Sequence, residues 1–232
     1  MRRNTLWLGL LAGSVLIAGC SSSGGGRAAR DFEVYSEDGE LDPVEYEPDS
    51  SGPTFDRQVE RERLGARFAF GGEPARGFFQ VFTEEWKIKN STLALDGFGV
   101  GGGVKGAPTV GDADAEVKML IPYRADLSLV YGEEDTATAD YALGYVELHA
   151  DVGFGVEWKG IRPSVGLALS SLAGVYTVSP DSGVDTDDTL TGSNTGIFFD
   201  ILYKHEDYPV YGHLRALSGD YDVVTLGIGF KF

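Results

Sequence analysis

Residues 141–178 read YALGYVELHADVGFGVEWKGIRPSVGLALSSLAGVYTV and alternate apolar with polar or glycine positions over most of their length. On one side stand Gly144, Val146, Leu148, Ala150, Val152, Phe154, Val156 and Trp158; between them stand Tyr145, Glu147, His149, Asp151, Gly153, Gly155 and Glu157. Successive side chains of an extended chain point to opposite faces, so a period of two predicts a strand and not a helix. Lys159-Gly160 supplies a two-residue turn, and Ile161 to Val178 repeats the pattern with Val165, Leu167, Leu169 and Ala173 on one side. Pairing across that turn sets Trp158 beside Ile161, Phe154 beside Val165 and Val152 beside Leu167. On the other face Glu157 meets Arg162 and Gly153 meets Gly166. A hairpin this long, apolar on one face and charged or glycine-rich on the other, predicts an all-β, antiparallel, up-and-down transmembrane β-barrel.

Further strands are predicted over Glu62 to Phe70, Gly77 to Ile88, Thr92 to Val104, Glu116 to Tyr131, Thr195 to Lys204, Tyr208 to Leu217 and Val223 to Phe232. With the hairpin these make nine. A closed antiparallel barrel in one bacterial chain normally has an even number, so the expectation is eight strands, with ten as the alternative. The acidic stretches Gly132 to Asp140 and Ser179 to Asn194 read as long loops that alternate with tight turns at Lys159-Gly160 and Glu206-Asp207.

Alternation alone does not say which face is inside. A soluble, lipocalin-like lipid-binding barrel would turn the apolar face inward. Three features favour the membrane arrangement. Small residues crowd the polar face, as a narrow lumen requires. Tyr123, Tyr131, Trp158, Tyr176 and Tyr203 fall toward strand ends, as aromatic girdles do. On the clearest strands the polar face carries Asp126, Glu147, Asp151, Glu157 and Asp200 against Lys118, Arg124, Arg162, Lys204, Arg215 and Lys231, a near balance in a chain whose formal net charge is −17. Charges withdrawn from water must be paired, so local balance points to enclosure. The acidity of the whole argues against a nucleic-acid partner.

Residues 1–19 have the parts of a secretory signal: Arg2 and Arg3, an apolar run from Leu6 to Ala18, and small residues at the end. Leu16-Ile17-Ala18-Gly19-Cys20 resembles the lipobox of bacterial lipoproteins, which implies an acylated Cys20 at the mature N-terminus; Ser21 after it resembles the outer-membrane sorting signal. Cys20 is the sole cysteine, so no disulfide forms within the chain. Residues 20–58 hold a Ser/Gly run and then ten acids, from Asp31 to Asp56, which predicts a solvated, disordered linker before a barrel over 59–232. A docking tail for a basic partner, using Phe32, Tyr35, Tyr46 and Phe55, is the alternative.

From Glu62 to Phe232 the chain resembles the small outer-membrane β-barrel proteins, the OmpA-like transmembrane domain in particular. The specific part is the last strand, whose terminal Phe232 resembles the signal read by the barrel assembly machinery. The resemblance implies a cell outer membrane location with lipids and lipopolysaccharide as neighbours, the lipid-anchored N-terminus lying on the periplasmic side. Motifs that carry chemistry are few. Gly97 to Gly102 spells GxGxxG, but Pro108 follows where a nucleotide-binding helix would start. Glu147, His149 and Asp151 share a face and, with His213 and Arg215, could line a metal or general-base site; the weightier reading is a barrel-interior polar cluster of Glu147, His149, Asp151, Glu157, Arg162, Asp200, His213 and Arg215 that fills the lumen. Glu133-Glu134-Asp135 and Asp185-Asp187-Asp188 read as solvated loop tips before divalent-cation sites. No catalytic set, resident metal or cofactor is expected. The function expected is a palmitate-bearing outer-membrane barrel with a structural or surface-interaction role; the alternatives are a lipid-modifying enzyme built on His149 and a tethered lipocalin-like carrier.

Overall fold

The computed structural model describes residues 30–48, 54–72, 75–112 and 114–232. The signal segment and Cys20 lie outside them. The strands are β1 (Arg30–Pro48), β2 (Phe55–Phe70), β3 (Ala75–Ile88), β4 (Ala94–Gly106), β5 (Thr109–Val110), β6 (Lys118–Leu120), β7 (Tyr123–Asp135), β8 (Ala139–Glu157), β9 (Ile161–Pro180), β10 (Thr186–Lys204), β11 (Val210–Ser218) and β12 (Tyr221–Lys231). The short β6 continues β7 along the same neighbour: Lys118 pairs with Glu157 and Tyr123 with Val152. Pro122, which has no N–H to give the ladder, marks the break between them. Apart from β5 and β6, ten long antiparallel strands remain. Each pairs with the next in the chain, and β12 pairs with β1 to close the barrel. Ten is the alternative count of the sequence reading, and the expected eight is corrected.

The tenth strand is β1, and it corrects a second expectation. Residues read as the acidic linker form a 19-residue strand in register with both β2 and β12, so the barrel begins at Arg30 and not at residue 59. The acids of β1 do not share one environment. Asp31 and Glu33 are buried in the lumen against Arg76 of β3 and Arg67 of β2, which removes the repulsion that a free acidic chain would suffer. A one-residue bulge between Leu41 and Val44 holds Pro43 and shifts the inward parity, so that Val44 and Tyr46 follow Gly39 and Leu41 into the interior.

The quoted hairpin forms as read. Phe154 pairs with Val165, Val152 with Leu167 and Gly153 with Gly166, and Trp158 bridges Ile161. Val146, Leu148, Val152, Phe154, Val165, Leu167 and Leu169 are exposed on the outer wall. With Leu127, Leu129, Ile197, Phe199, Leu226 and Ile228 they form a continuous apolar belt. Such a surface is far larger than the few hundred Å² a soluble monomer exposes, and inward of it lie charges; a lipocalin arrangement is the reverse.

The belt ends before the strands do. β7 continues to Asp135 and β8 starts at Ala139; β9 continues to Pro180 and β10 starts at Thr186. The two expected long loops are therefore mostly strand, joined by short turns. In this rim the facing rule inverts. Outward positions are Asp140 on β8, Ser171 and Thr177 on β9, and Thr189, Thr191 and Ser193 on β10. Inward lie Leu143, Leu172, Tyr176 and Leu190, all buried. Tyr176, expected in a girdle, stands edge-on to Tyr46 in this core at 5.9 Å between ring centroids. Its place follows from the inversion: above the belt, water wets the outer wall and aromatic surface leaves it for the lumen. Tyr131, Trp158 and Tyr203 do remain on the outer wall.

Candidate functional site

Below the rim core, the lumen is filled by charge. β1 sets Glu33 and Glu37 four residues apart on one face of the strand, with Tyr35 between them; the adjacent β2 sets Arg67 and Arg63 directly opposite the two acids, and Arg61 extends the row. Glu147 on β8 reaches across to this row. Arg61 Nη1 donates to its Oε1 at 3.0 Å and Arg63 Nη2 to its Oε2 at 2.7 Å. Both arginines also hold Glu37, Arg63 alone holds Glu84 through Nε at 2.5 Å, and the Tyr145 hydroxyl donates to Glu84 at 2.5 Å. Arg63 also lies over the Phe82 ring, 4.5 Å from its centroid. This layer spans the lumen from β1 to β8, and above it the aromatic core begins with Trp86 and Tyr145, whose rings are 5.2 Å apart.

A second group occupies the side formed by β8, β10 and β11. His149 and Arg215 both contact Asp151 Oδ2, at 3.0 and 2.8 Å. His213 sits between two carboxylates, with Nδ1 2.8 Å from Glu33 and Nε2 2.9 Å from Asp200. A third group at the mouth joins Glu157 to Arg162 and to Lys204 Nζ at 3.3 Å. Thus all eight members of the expected polar cluster face the lumen, but the structure divides them: Glu147 belongs with Arg61 and Arg63 and not with His149. Further charged members of the lumen, Asp31, Glu33, Glu37, Arg61, Arg63, Arg67, Arg76 and Glu84, were missed by sequence reasoning: the first three lie in the stretch read as linker, and the others lie on or beside predicted strands whose partners across the lumen no single segment displays. The signal was there as acids at Glu33 and Glu37 matched by arginines at Arg63 and Arg67 on the next strand.

Glycines make the room. β4 carries the GxGxxG run, and a side chain at Gly99 would meet the Phe82 ring at 2.3 Å; at Gly227 it would meet Glu33 Oε1 at 2.4 Å. The run is a packing device for the lumen, in keeping with its rejection as a nucleotide motif. Near the end that carries Arg30 and Phe232, the termini of the described chain, a dead-end cavity of about 150 Å³ remains, lined in part by Lys105, Arg162, Asp200, Lys204, His213 and Arg215. Inward its lining ends on Arg67, Asp151 and Phe198, with Arg215 over that ring at 4.6 Å. Among the described residues no serine or threonine hydroxyl bonds to His149 or His213, and no group of three potential ligands is placed to hold a metal ion. Both histidines are instead engaged by carboxylates and Arg215.

At the same end the outer wall is aromatic. Phe68 packs against Phe79 at 5.4 Å and Phe232 at 6.3 Å between centroids. Phe232 exchanges backbone hydrogen bonds with Arg30, at 3.0 and 3.3 Å, while its side chain is exposed.

No protein-family model matches the chain, and no curated protein does. Solved structures do. The chain is similar to the outer membrane protease OmpT from Escherichia coli with a TM-score of 0.51 at 7% identity, covering 92% of this chain and 99% of that one. It is also similar to the transport unit of the autotransporter AIDA-I from Escherichia coli, at a TM-score of 0.44, 11% identity and 97% of each chain. The translocator domain of the autotransporter NalP from Neisseria meningitidis gives 0.41 at 14% identity, covering 98% and 97%. The likeness is one of fold: this chain has the closed, antiparallel, up-and-down architecture of outer-membrane β-barrels.

Proposed function

We propose that the protein is a lipid-anchored, non-conducting outer-membrane barrel with a structural or surface-interaction role. The observation that carries this reading is the filled lumen. The Arg61, Arg63 and Glu147 layer and the aromatic core above it, Trp86, Tyr46, Tyr176 and Tyr221, fill the interior with buried side chains. What projects beyond the belt is a strand-built rim whose outer wall carries Glu60, Glu62, Glu133, Asp135, Asp140 and Asp222. A wall of that kind presents a surface and transports nothing.

Arg30 and Phe232, the two ends of the described chain, lie at one end because the strand number is even. Cys20 precedes Arg30 by ten residues, a chain that reaches at most about 36 Å. An acyl group on Cys20 therefore enters the leaflet beside the termini, and the rim faces the opposite side. The exposed Phe232 and its aromatic neighbours suit recognition by the barrel assembly machinery, and the belt suits contact with outer-membrane lipids and, on the rim side, lipopolysaccharide. Two measurements test the reading. Labelled palmitate should enter the wild-type protein and not Cys20→Ser; equal labelling removes the anchor. In planar bilayers the folded protein should give no conductance steps, and a regular open level would refute the filled lumen.

A further inference from the structure

We infer that the dead-end cavity at the termini end is a binding site for a small oxyanion, a phosphate or carboxylate group. Its lining holds eight Lys or Arg side chains and four Asp or Glu side chains, in a protein whose formal net charge is −17. Asp31 is matched to Arg76 and Arg124 to Asp126 behind the lining, but Glu33 and Asp200 are each shared among several bases. Glu33 serves Arg67 at 3.3 Å, His213 at 2.8 Å and Lys105 at 3.9 Å. Asp200 serves His213 and Arg215. Even Glu157, behind the lining, is divided between Arg162 and Lys204.

An excess of cations in a confined space of low polarity is unfavourable without a counter-charge, and an anion that enters is held by several donors at once. Lys105, Arg162 and Lys204 keep 28%, 17% and 25% of their side-chain surface accessible, so they can turn toward a ligand. Geometry fixes the direction of entry. The acidic rim repels anions at the far end and the charged layer blocks passage, so an anion comes in from the termini end and leaves by it. Binding follows from this arrangement, and permeation does not. A volume of about 150 Å³ takes a single phosphate group or a small carboxylate and excludes a polymer.

The test uses the full chain in maltoside micelles. Inorganic phosphate is titrated by calorimetry at ionic strength held constant with chloride, and native folding of each variant is checked by the faster migration of unboiled protein on a gel. Wild type should show saturable binding of one phosphate. Lys105→Gln should weaken it at least threefold and the double variant Lys105→Gln with Lys204→Gln at least tenfold, while Lys87→Gln on the rim should leave it unchanged. If the double variant does not fold, the single variant decides. No saturable binding by wild type, or equal affinity in Lys105→Gln and Lys87→Gln, overturns the inference. Adding phosphatidylglycerol to the micelles then separates two sources of the same chemistry: displacement of phosphate assigns the site to a lipid headgroup, and no displacement assigns it to a free solute.

Discussion

β8 passes through two surroundings, and its side chains obey opposite rules in each. From Val146 to Val156 its even positions are apolar and face out while Glu147, His149 and Asp151 face in; from Tyr145 back to Ala139 the buried inward positions are Tyr145, Leu143 and Ala139, and Asp140 faces out. β9 switches in the same way, with Leu167 and Leu169 outside in the belt and Leu172 and Tyr176 inside in the rim. Neither strand needs a bulge to do so; the backbone parity is constant and only the residue types change. The lesson is that the solvent outside the wall decides the lumen. Where lipid touches the wall, apolar groups gain nothing by leaving it, and charges that must be enclosed pair in the lumen. Where water touches the wall, the hydrophobic effect sends Leu, Tyr and Trp inward, as in a soluble barrel.

The largest effect expected on this contrast comes from the charged layer beneath the rim. Glu147→Ala removes one of the carboxylates shared by Arg61 and Arg63, each buried with its guanidinium 3.0 or 2.7 Å from it; Glu37 and Glu84 remain as partners, so the loss of stability should fall near the low end of the range for breaking a buried pair, about 3 kcal/mol. Urea unfolding in vesicles measures it through the midpoint. An unchanged midpoint would mean that water reaches the layer and that the lumen is not closed there.

A pair of arginines on the outer wall tests the switch itself. Val152 is half exposed within the belt, so Val152→Arg puts a charge in hydrocarbon and should cost about 2–4 kcal/mol if it lies near mid-depth. Ser193 is exposed on the rim part of β10, and Ser193→Arg should change stability by no more than about 0.5 kcal/mol. Equal costs would erase the boundary between the two regions, and intermediate positions along β10, such as Thr195, would locate it.

The belt was legible in the sequence because lipid imposes one clean alternation, and every strand that runs through it with apolar residues on one side, β7, the β8–β9 hairpin, β12 and the lower half of β10, was found. The rim was not, although its alternation continues, because the apolar set moves to the other parity: after Leu167 and Leu169 come Leu172, Tyr176 and Val178. Read with a single phase, that change resembles the end of a strand. β1 escaped for a different reason. Its acids lie on both faces, and the placing of Glu33 and Glu37 is explained only by the complementary spacing of Arg67 and Arg63 on β2, a relation between segments that periodicity within one segment cannot display. The eight-membered polar cluster was legible as a face and not as contacts, since which strand lies across the lumen depends on how the barrel closes.

The smallest expected effect separates ion pairs by place. Lys87 and Glu60 approach to 3.7 Å on the outer wall of the rim, with 43% and 47% of their side chains accessible. Water screens this pair and both side chains lose rotamer freedom to form it, so Lys87→Gln should alter stability by less than about 1 kcal/mol. Salt distinguishes it from the lumen layer more sharply than magnitude does. Whatever small loss Lys87→Gln produces at low ionic strength should fade at 1 M salt, where the screening length is about 3 Å, whereas the loss in Glu147→Ala should persist because mobile ions do not reach Arg61 and Arg63. Parallel salt dependence in the two variants would place both pairs in the same solvent, and with that the division of the barrel into a lipid-facing and a water-facing part would fail.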